Sequence, residues 1–193
     1  MAFRIPSGKE DPYWDFFINR APFDPNNLLG EAIRKAPDGN IYPARSEVHS
    51  PDITAGFVKE LGRFWGAAET GIVRLQPGIP MGEGEPYPSA VLFVVQADYD
   101  PRQALGVGGQ LPVLKGAYVS FEMAAYFREL GFRATRLDGE EVERLAQAAG
   151  LGKVDGQGRL VSPRVRPHAY VPDAVITDLP LAADGEASWP PTS

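Results

Sequence analysis

Apolar positions along this chain recur with two periods, and the switches between them mark out the elements. Ile53, Phe57, Leu61, Phe64 and Trp65 are three or four residues apart, the spacing of one helix face. Ser50-Pro51-Asp52 ahead of them offers a helix start with proline in the first turn. A helix over about 52–68 follows, and TGIVRLQ (70–76) reads as a strand. Residues 77–88, PGIPMGEGEPYP, hold too much glycine and proline for either regular state. A loop of that length is either functional or a surface excursion. SAVLFVVQADY (89–99) is the clearest strand. Its 90–95 run is apolar without alternation, which predicts a central strand covered on both faces. Residues 100–112 read as loop. Val119, Met123, Phe127 and Leu130 share one face of a helix over 116–130, with Gly131 as its stop. A strand over 132–137 and a helix over 139–149 follow. Glu140 and Glu141 lie in the first turn of that helix, where acidic residues favour the dipole. Together with Glu143 they read as a solvated turn rather than a catalytic carboxylate pair.

Residues 149–181, AGLGKVDGQGRLVSPRVRPHAYVPDAVITDLPL, break the pattern. Gly150, Gly152, Gly156 and Gly158 crowd ahead of two β-type runs at 159–162 and 170–179. Such a stretch must turn sharply and return into a sheet. It reads either as a ligand-cradling loop or as a plain helix-to-strand connection. Residues 1–50 read as an extended arm in which Phe3, Tyr13, Trp14, Phe16, Phe17 and Phe23 alternate with prolines. The arm packs on the domain or covers a ligand or partner. Within it, Asn26-Asn27 caps a short helix through Lys35, and Asp38-Gly39-Asn40 forms a turn. Residues 51–183 form one domain, and 184–193 a loose polar tail. The order α-β-β-α-β-α-β-β is not a strict βα alternation. It predicts an α+β sandwich, a mixed central sheet covered by helices.

Composition narrows the chemistry. Net charge is −6, with no basic run, which argues against nucleic acid and anionic membrane as partners. The 193 residues include no cysteine, so disulfides, thiolate zinc sites, cysteine nucleophiles and cysteine-held iron–sulfur clusters are excluded for this sequence. Only His49 and His168 carry imidazole. No signal-peptide core and no apolar run of spanning length is present, and a cytoplasmic location is the expectation. The chain has no GxGxxG, P-loop, GxSxG or HExxH signature. Gly106-Val107-Gly108-Gly109 lacks the Lys-Ser/Thr that a phosphate loop needs. His168, between Pro167 and Ala169, is either an exposed loop histidine or a ligand contact.

A resemblance emerges at these residues. AGLGKVDGQGRLVSP followed by AVITDLPL resembles the AGLGxxGxxGLLISP…VxTDLPL segment of the corrinoid-binding domain shared by reductive dehalogenases and epoxyqueuosine reductases. Upstream, LGRFWGAAETGIVRL, PSAVLFVVQADYD and AAYFRELGFRAT resemble the family's early helix and strand, its central strand and its LAxFIRxLGYxA element, in the same order. The resemblance spans about residues 52–182. It implies a nitroreductase-like sandwich that binds a cobamide (cobalamin, B12) in base-off form. The implied cofactor contacts are Gly150, Leu151, Gly152, Gly156, Gly158, Leu160, Ser162, Pro163 and His168. Tyr118 and Arg166 are the implied catalytic candidates. The family's iron–sulfur domain has no counterpart in this cysteine-free sequence, so electrons would come from a separate donor protein. The chain would then be a cobamide carrier or chaperone, or a dehalogenase-like catalytic unit, with a second copy of itself as a candidate partner in a homodimer. A flavin-dependent reductase holding FMN in the same broad fold is one alternative. A non-catalytic relic acting as an interaction protein is another.

Overall fold

The strand expected at the centre is the centre. In the computed structural model, which describes residues 25–80, 84–139 and 141–189, β2 (Tyr87–Ala97) is flanked in one sheet by β1 (Glu69–Ile79) and β7 (Ala174–Thr177), both antiparallel to it. Beyond β7 lies β3 (Ala134–Leu137), and beyond β1 lies β8 (Gly185–Ser188), giving the order β3-β7-β2-β1-β8. β1 and β8 run parallel, so the sheet is mixed. A short strand, β6 (His168–Tyr170), pairs with the far end of β2. β4 (Lys153–Val154) and β5 (Leu160–Val161) form a separate hairpin.

The two-residue pleat of the strands divides the core between two faces. Ala90, Leu92 and Val94 of β2 join Val73 and Leu75 of β1 and Ile176 of β7 on one face. Val91 and Phe93 join Ile72 and Val175 on the other. The second face is covered by α2 (Pro51–Trp65) and α3 (Val107–Glu129), through Ala55 and Val58 and through Val119, Met123 and Phe127. The first is covered by α4 (Glu141–Ala148) and by the chain that follows it, through Val142, Leu145, Leu151, Leu160 and Val165. α1 (Pro25–Lys35) packs against α3. The architecture is the α+β sandwich with a mixed, helix-covered sheet that the pattern predicts.

The boundaries differ from the sequence reading where local rules compete. α2 stops at Trp65 because Gly66 takes the left-handed conformation (φ 109°) and its N–H returns to the carbonyls of Gly62 and Arg63. α3 begins at Val107, nine residues before the start read from the sequence. Proline at 112 removes only one helical hydrogen bond and already has a helical φ. Gly109 before it is a packing residue: a Cβ there would lie 1.8 Å from the Ala104 carbonyl oxygen. β1 runs on through Pro77 to Ile79 with a register shift after Arg74, the kind of irregularity that admits proline. The single strand read over 170–179 is two strands, divided at Val171-Pro172-Asp173, which belong to neither.

The tail is a correction. Residues 185–188 are not loose. They add β8 to the sheet, with Asp184 receiving the Ile72 N–H and Trp189 N–H reaching Gln76. Polar side chains alternate outward there, as an edge strand allows. The short helix expected within the arm is present as α1. Residues 36–50 run extended, tied by Tyr42 N–H to Arg128 O and Ser46 N–H to Leu130 O. No turn forms at 38–40. Asp38 instead accepts from Arg128 and Thr135. Residues 1–24, with the aromatics of the expected arm, lie outside the described residues.

Candidate functional site

The stretch after α4 is built by a few polar anchors. α4 ends in a Schellman-type cap. Gly150 is left-handed (φ 75°), its N–H bonds Gln147 O, and Leu151 N–H bonds Ala146 O. The chain then enters the β4–β5 hairpin. A Cβ on Gly152 would sit 2.5 Å from the Val161 carbonyl oxygen, so this glycine lets the two hairpin strands meet. Asp155 organises the turn: its carboxylate accepts from the N–H groups of Gln157 and Arg159 and from the Arg159 guanidinium. These bonds, the Arg159 N–H first and its guanidinium next, hold its acid at about 2. Gly158 closes the turn with φ 74°.

Two ion pairs fasten the loop at 100–106 over this hairpin. Arg159 Nη1 reaches Asp100 Oδ2 at 3.1 Å. Arg102 Nη2 reaches Glu143 Oε1 at 2.6 Å, and Glu143 Oε2 accepts the Leu160 N–H at 3.1 Å. The Glu143 side chain is only 8% exposed. Burial pushes its acid up to about 7, more than the Arg102 charge and the Leu160 N–H bring it down. This overturns the reading of Glu143 as part of a solvated turn. Its position, one residue after Val142 and three before Ala146, puts it on the buried stripe of α4, and that spacing is visible in the sequence.

After β5 the chain is pinned again. Ser162 is buried; its hydroxyl donates to Glu69 and accepts the N–H groups of Arg164 and Val165. Arg164 pairs with Glu69 and bonds the Gly150 carbonyl. The chain then passes Arg166 and a cis Pro167 into β6.

Two adjoining clefts open along this structure. The smaller, about 140 Å³, is lined by Leu160, Ser162, Arg166, Pro167 and His168 with Asp100 and Arg159. The larger, about 780 Å³, runs past Gly158 toward Arg34, Gln110, Val113 and Asp173. Pro101, Arg102, Glu143 and Tyr170 border both, so the Arg102–Glu143 pair lies at the divide. Arg166 and His168 are exposed at the smaller cleft, and Arg166 makes no ion pair among the described residues. In the larger cleft Arg34 donates to the Tyr170 hydroxyl at 3.2 Å. Burial raises the acids of Tyr170 and Asp173, with Arg34 opposing in both cases.

Of the residues named from the sequence, Leu160, Ser162, Arg166 and His168 come together on the smaller cleft, and Gly158 borders the larger. Gly150, Leu151, Gly152, Gly156, Pro163 and Tyr118 line neither. Leu151 is core, Gly150 caps α4, and Tyr118 sits 41% exposed on α3. Glu143, Arg102, Arg159, Asp100, Arg34 and Tyr170 were not foreseen as site residues. They come from five separate segments, and no local spacing connects them. Among the described residues no helix is long and apolar enough to cross a membrane, and no group of three acidic or histidine side chains is placed to hold a metal.

No protein-family model and no curated protein matches the chain. Solved structures do. A catabolic reductive dehalogenase, NpRdhA, superposes with a TM-score of 0.70 at 26% identity over 87% of this chain. The same enzyme in complex with 3-bromo-4-hydroxybenzoic acid gives 0.69 at 26% identity over 87%. A reductive dehalogenase structure described in terms of B12-dependent dehalogenation gives 0.68 at 24% identity over 87%. The match takes in 27% of each of those chains, so this sequence corresponds to about a quarter of their length. Over that part, this chain shares the fold of the reductive dehalogenases, the family that the 149–181 segment resembles.

Proposed function

We propose that this chain binds a cobamide in base-off form at the 150–168 segment and the smaller cleft beside it. The supporting observation is the likeness to B12-dependent reductive dehalogenases, joined to what the segment offers. A Cβ added at Gly156 or Gly158 would meet nothing within 4 Å. Side-chain-free backbone therefore faces open space beside the clefts, as close approach of a bulky ligand requires. The N–H groups of residues 157–159 are already bonded to Asp155, which leaves anion recognition to side chains. Arg166 and His168 are exposed at the smaller cleft, which Asp155 and Arg159 of the hairpin also line, and they suit the phosphate of a nucleotide tail. The donor set fits such a ligand.

A bound corrinoid would supply redox-active cobalt. The chain's own part is to hold and orient it. Gly156 and Gly158 give access to backbone, Arg166 and His168 meet the anionic tail, and Ser162 holds the strap that carries them. The Arg159–Asp100 and Arg102–Glu143 pairs hold the covering loop. Tyr118 lies away from both clefts, so Arg166 is the better candidate for a residue facing the reaction. These residues hold no cysteine, so the electrons for reduction would come from outside them. Carrying or delivering the cofactor requires only binding, and that is the role the residues support most directly.

Gel filtration of the protein mixed with hydroxocobalamin tests this. Corrinoid absorbance is expected to co-elute with the protein. Complete separation of the two would overturn the proposal.

A further inference from the structure

The larger cleft has features that cofactor binding at 150–168 does not use. Its volume of about 780 Å³ falls in the range of small-molecule pockets, roughly 300–1,000 Å³. Val113, Val142, Val171 and Pro172 supply apolar wall. Three arginines and three carboxylates line it, and two of each are engaged: Arg102 with Glu143, and Arg144 with Glu141. Among the described residues Arg34 makes no ion pair, gives one N–H to Tyr170 and has no acceptor for its other guanidinium N–H groups. The Tyr170 oxygen accepts that bond, and its own O–H has no acceptor among the described residues. The phenol is protonated at neutral pH, and burial raises its acid further. Asp173 lies nearby and opposes an anion, but it is not within ion-pair distance of Arg34.

A protonated hydroxyl and an uncommitted guanidinium, joined to each other at the wall of a half-apolar cleft, form a matched pair of donors for a carboxylate. We propose that the larger cleft is a separate binding site for a small organic acid, whose carboxylate is held by the Tyr170 hydroxyl and the Arg34 guanidinium while its apolar body lies against the valine and proline wall. The site does not depend on the corrinoid reading: Gly158 borders this cleft too, but Arg34, Tyr170 and the valine and proline wall are not assigned to the cofactor.

The test uses three chain-matched probes, hexanoate, hexanamide and hexylamine, titrated into the full chain without corrinoid and followed by amide chemical shifts. Hexanoate is expected to bind most tightly, with shifts centred on Tyr170, Val171 and Val113. Tyr170→Phe keeps the ring and removes the hydroxyl, and should weaken hexanoate roughly tenfold. Arg34→Gln, at an exposed position, should weaken it at least as much. Unchanged circular dichroism would show that both variants fold. Equal binding of hexanamide, preference for hexylamine, absence of shifts in the cleft, or an unaffected Tyr170→Phe variant would each overturn the proposal. Cobamide co-elution is scored separately, so failure of one reading leaves the other standing.

Discussion

Glu143 makes the stability of this protein depend on pH in an unusual direction. Its acid stands near 4.5 in the unfolded chain and about 7 in the folded one. Below about pH 4.5 the carboxyl is protonated in both states and adds no pH dependence. Between about 4.5 and 7 the unfolded chain releases the proton and the folded chain keeps it. Stability therefore falls as pH rises, and it levels off above about 7. Full ionisation costs the native state about 3 kcal/mol, even with the Arg102 ion pair and the Leu160 N–H counted, because those partners are already present at the acid's shifted position. The perturbation is Glu143→Gln, which keeps an acceptor for the Leu160 N–H and carries no charge to desolvate. The assay is urea unfolding followed by tryptophan fluorescence between about pH 5 and 9. The wild type should lose roughly 2–3 kcal/mol across that range. The variant should lose much less and match or exceed the wild type at the alkaline end. Asp173, also raised by burial, adds a slope of the same sign to both proteins, so the difference between them isolates Glu143. A wild-type stability that is flat or rises with pH, or a variant with the same slope, would refute the reasoning.

Four further outcomes follow from the 150–168 segment. Gly158→Ala should cost about 1–2 kcal/mol, because φ is 74° there. Gly156→Ala, with open space and no positive φ, should stay within about 0.5 kcal/mol in the same unfolding assay. Ser162→Ala removes the acceptor of two backbone N–H groups and a bond to Glu69; it should cost about 1–3 kcal/mol and speed hydrogen exchange at the Val165 amide. Arg166→Ala and His168→Ala, both exposed, should leave stability within about 0.5 kcal/mol while weakening hydroxocobalamin retention.

How much of this was readable from the residues depended on the range of the interactions. β2 was legible because an unbroken apolar run has few alternatives to a doubly covered strand, and Phe93 is indeed fully buried. α3 was legible from the spacing of Val119, Met123 and Phe127; α2 was legible as a helix, but its buried face is Thr54, Ala55, Val58 and Gly62 while Ile53, Phe57 and Phe64 are exposed. The start of α3 was not, because the rule against glycine and proline was outweighed by the packing of the 101–104 loop on Gly109. β8 was missed because a polar four-residue edge strand carries no hydrophobic signal. The glycines at 150–158 were correctly read as a place of sharp turning. Individually, however, Gly150, Gly152 and Gly158 are accounted for by a helix cap, a close strand approach and a hairpin turn. The cleft residues were hidden for a different reason: Arg34, Arg102, Glu143 and Tyr170 meet only once the sheet has folded. The resemblance at 149–181 carried what local physics could not, and the fold likeness to reductive dehalogenases agrees with it.

The most direct test of that resemblance is the visible spectrum of cob(II)alamin on addition of the purified protein. The account predicts a base-off shift that saturates with protein and is weakened by Arg166→Ala. A base-on spectrum unchanged at excess protein would contradict it.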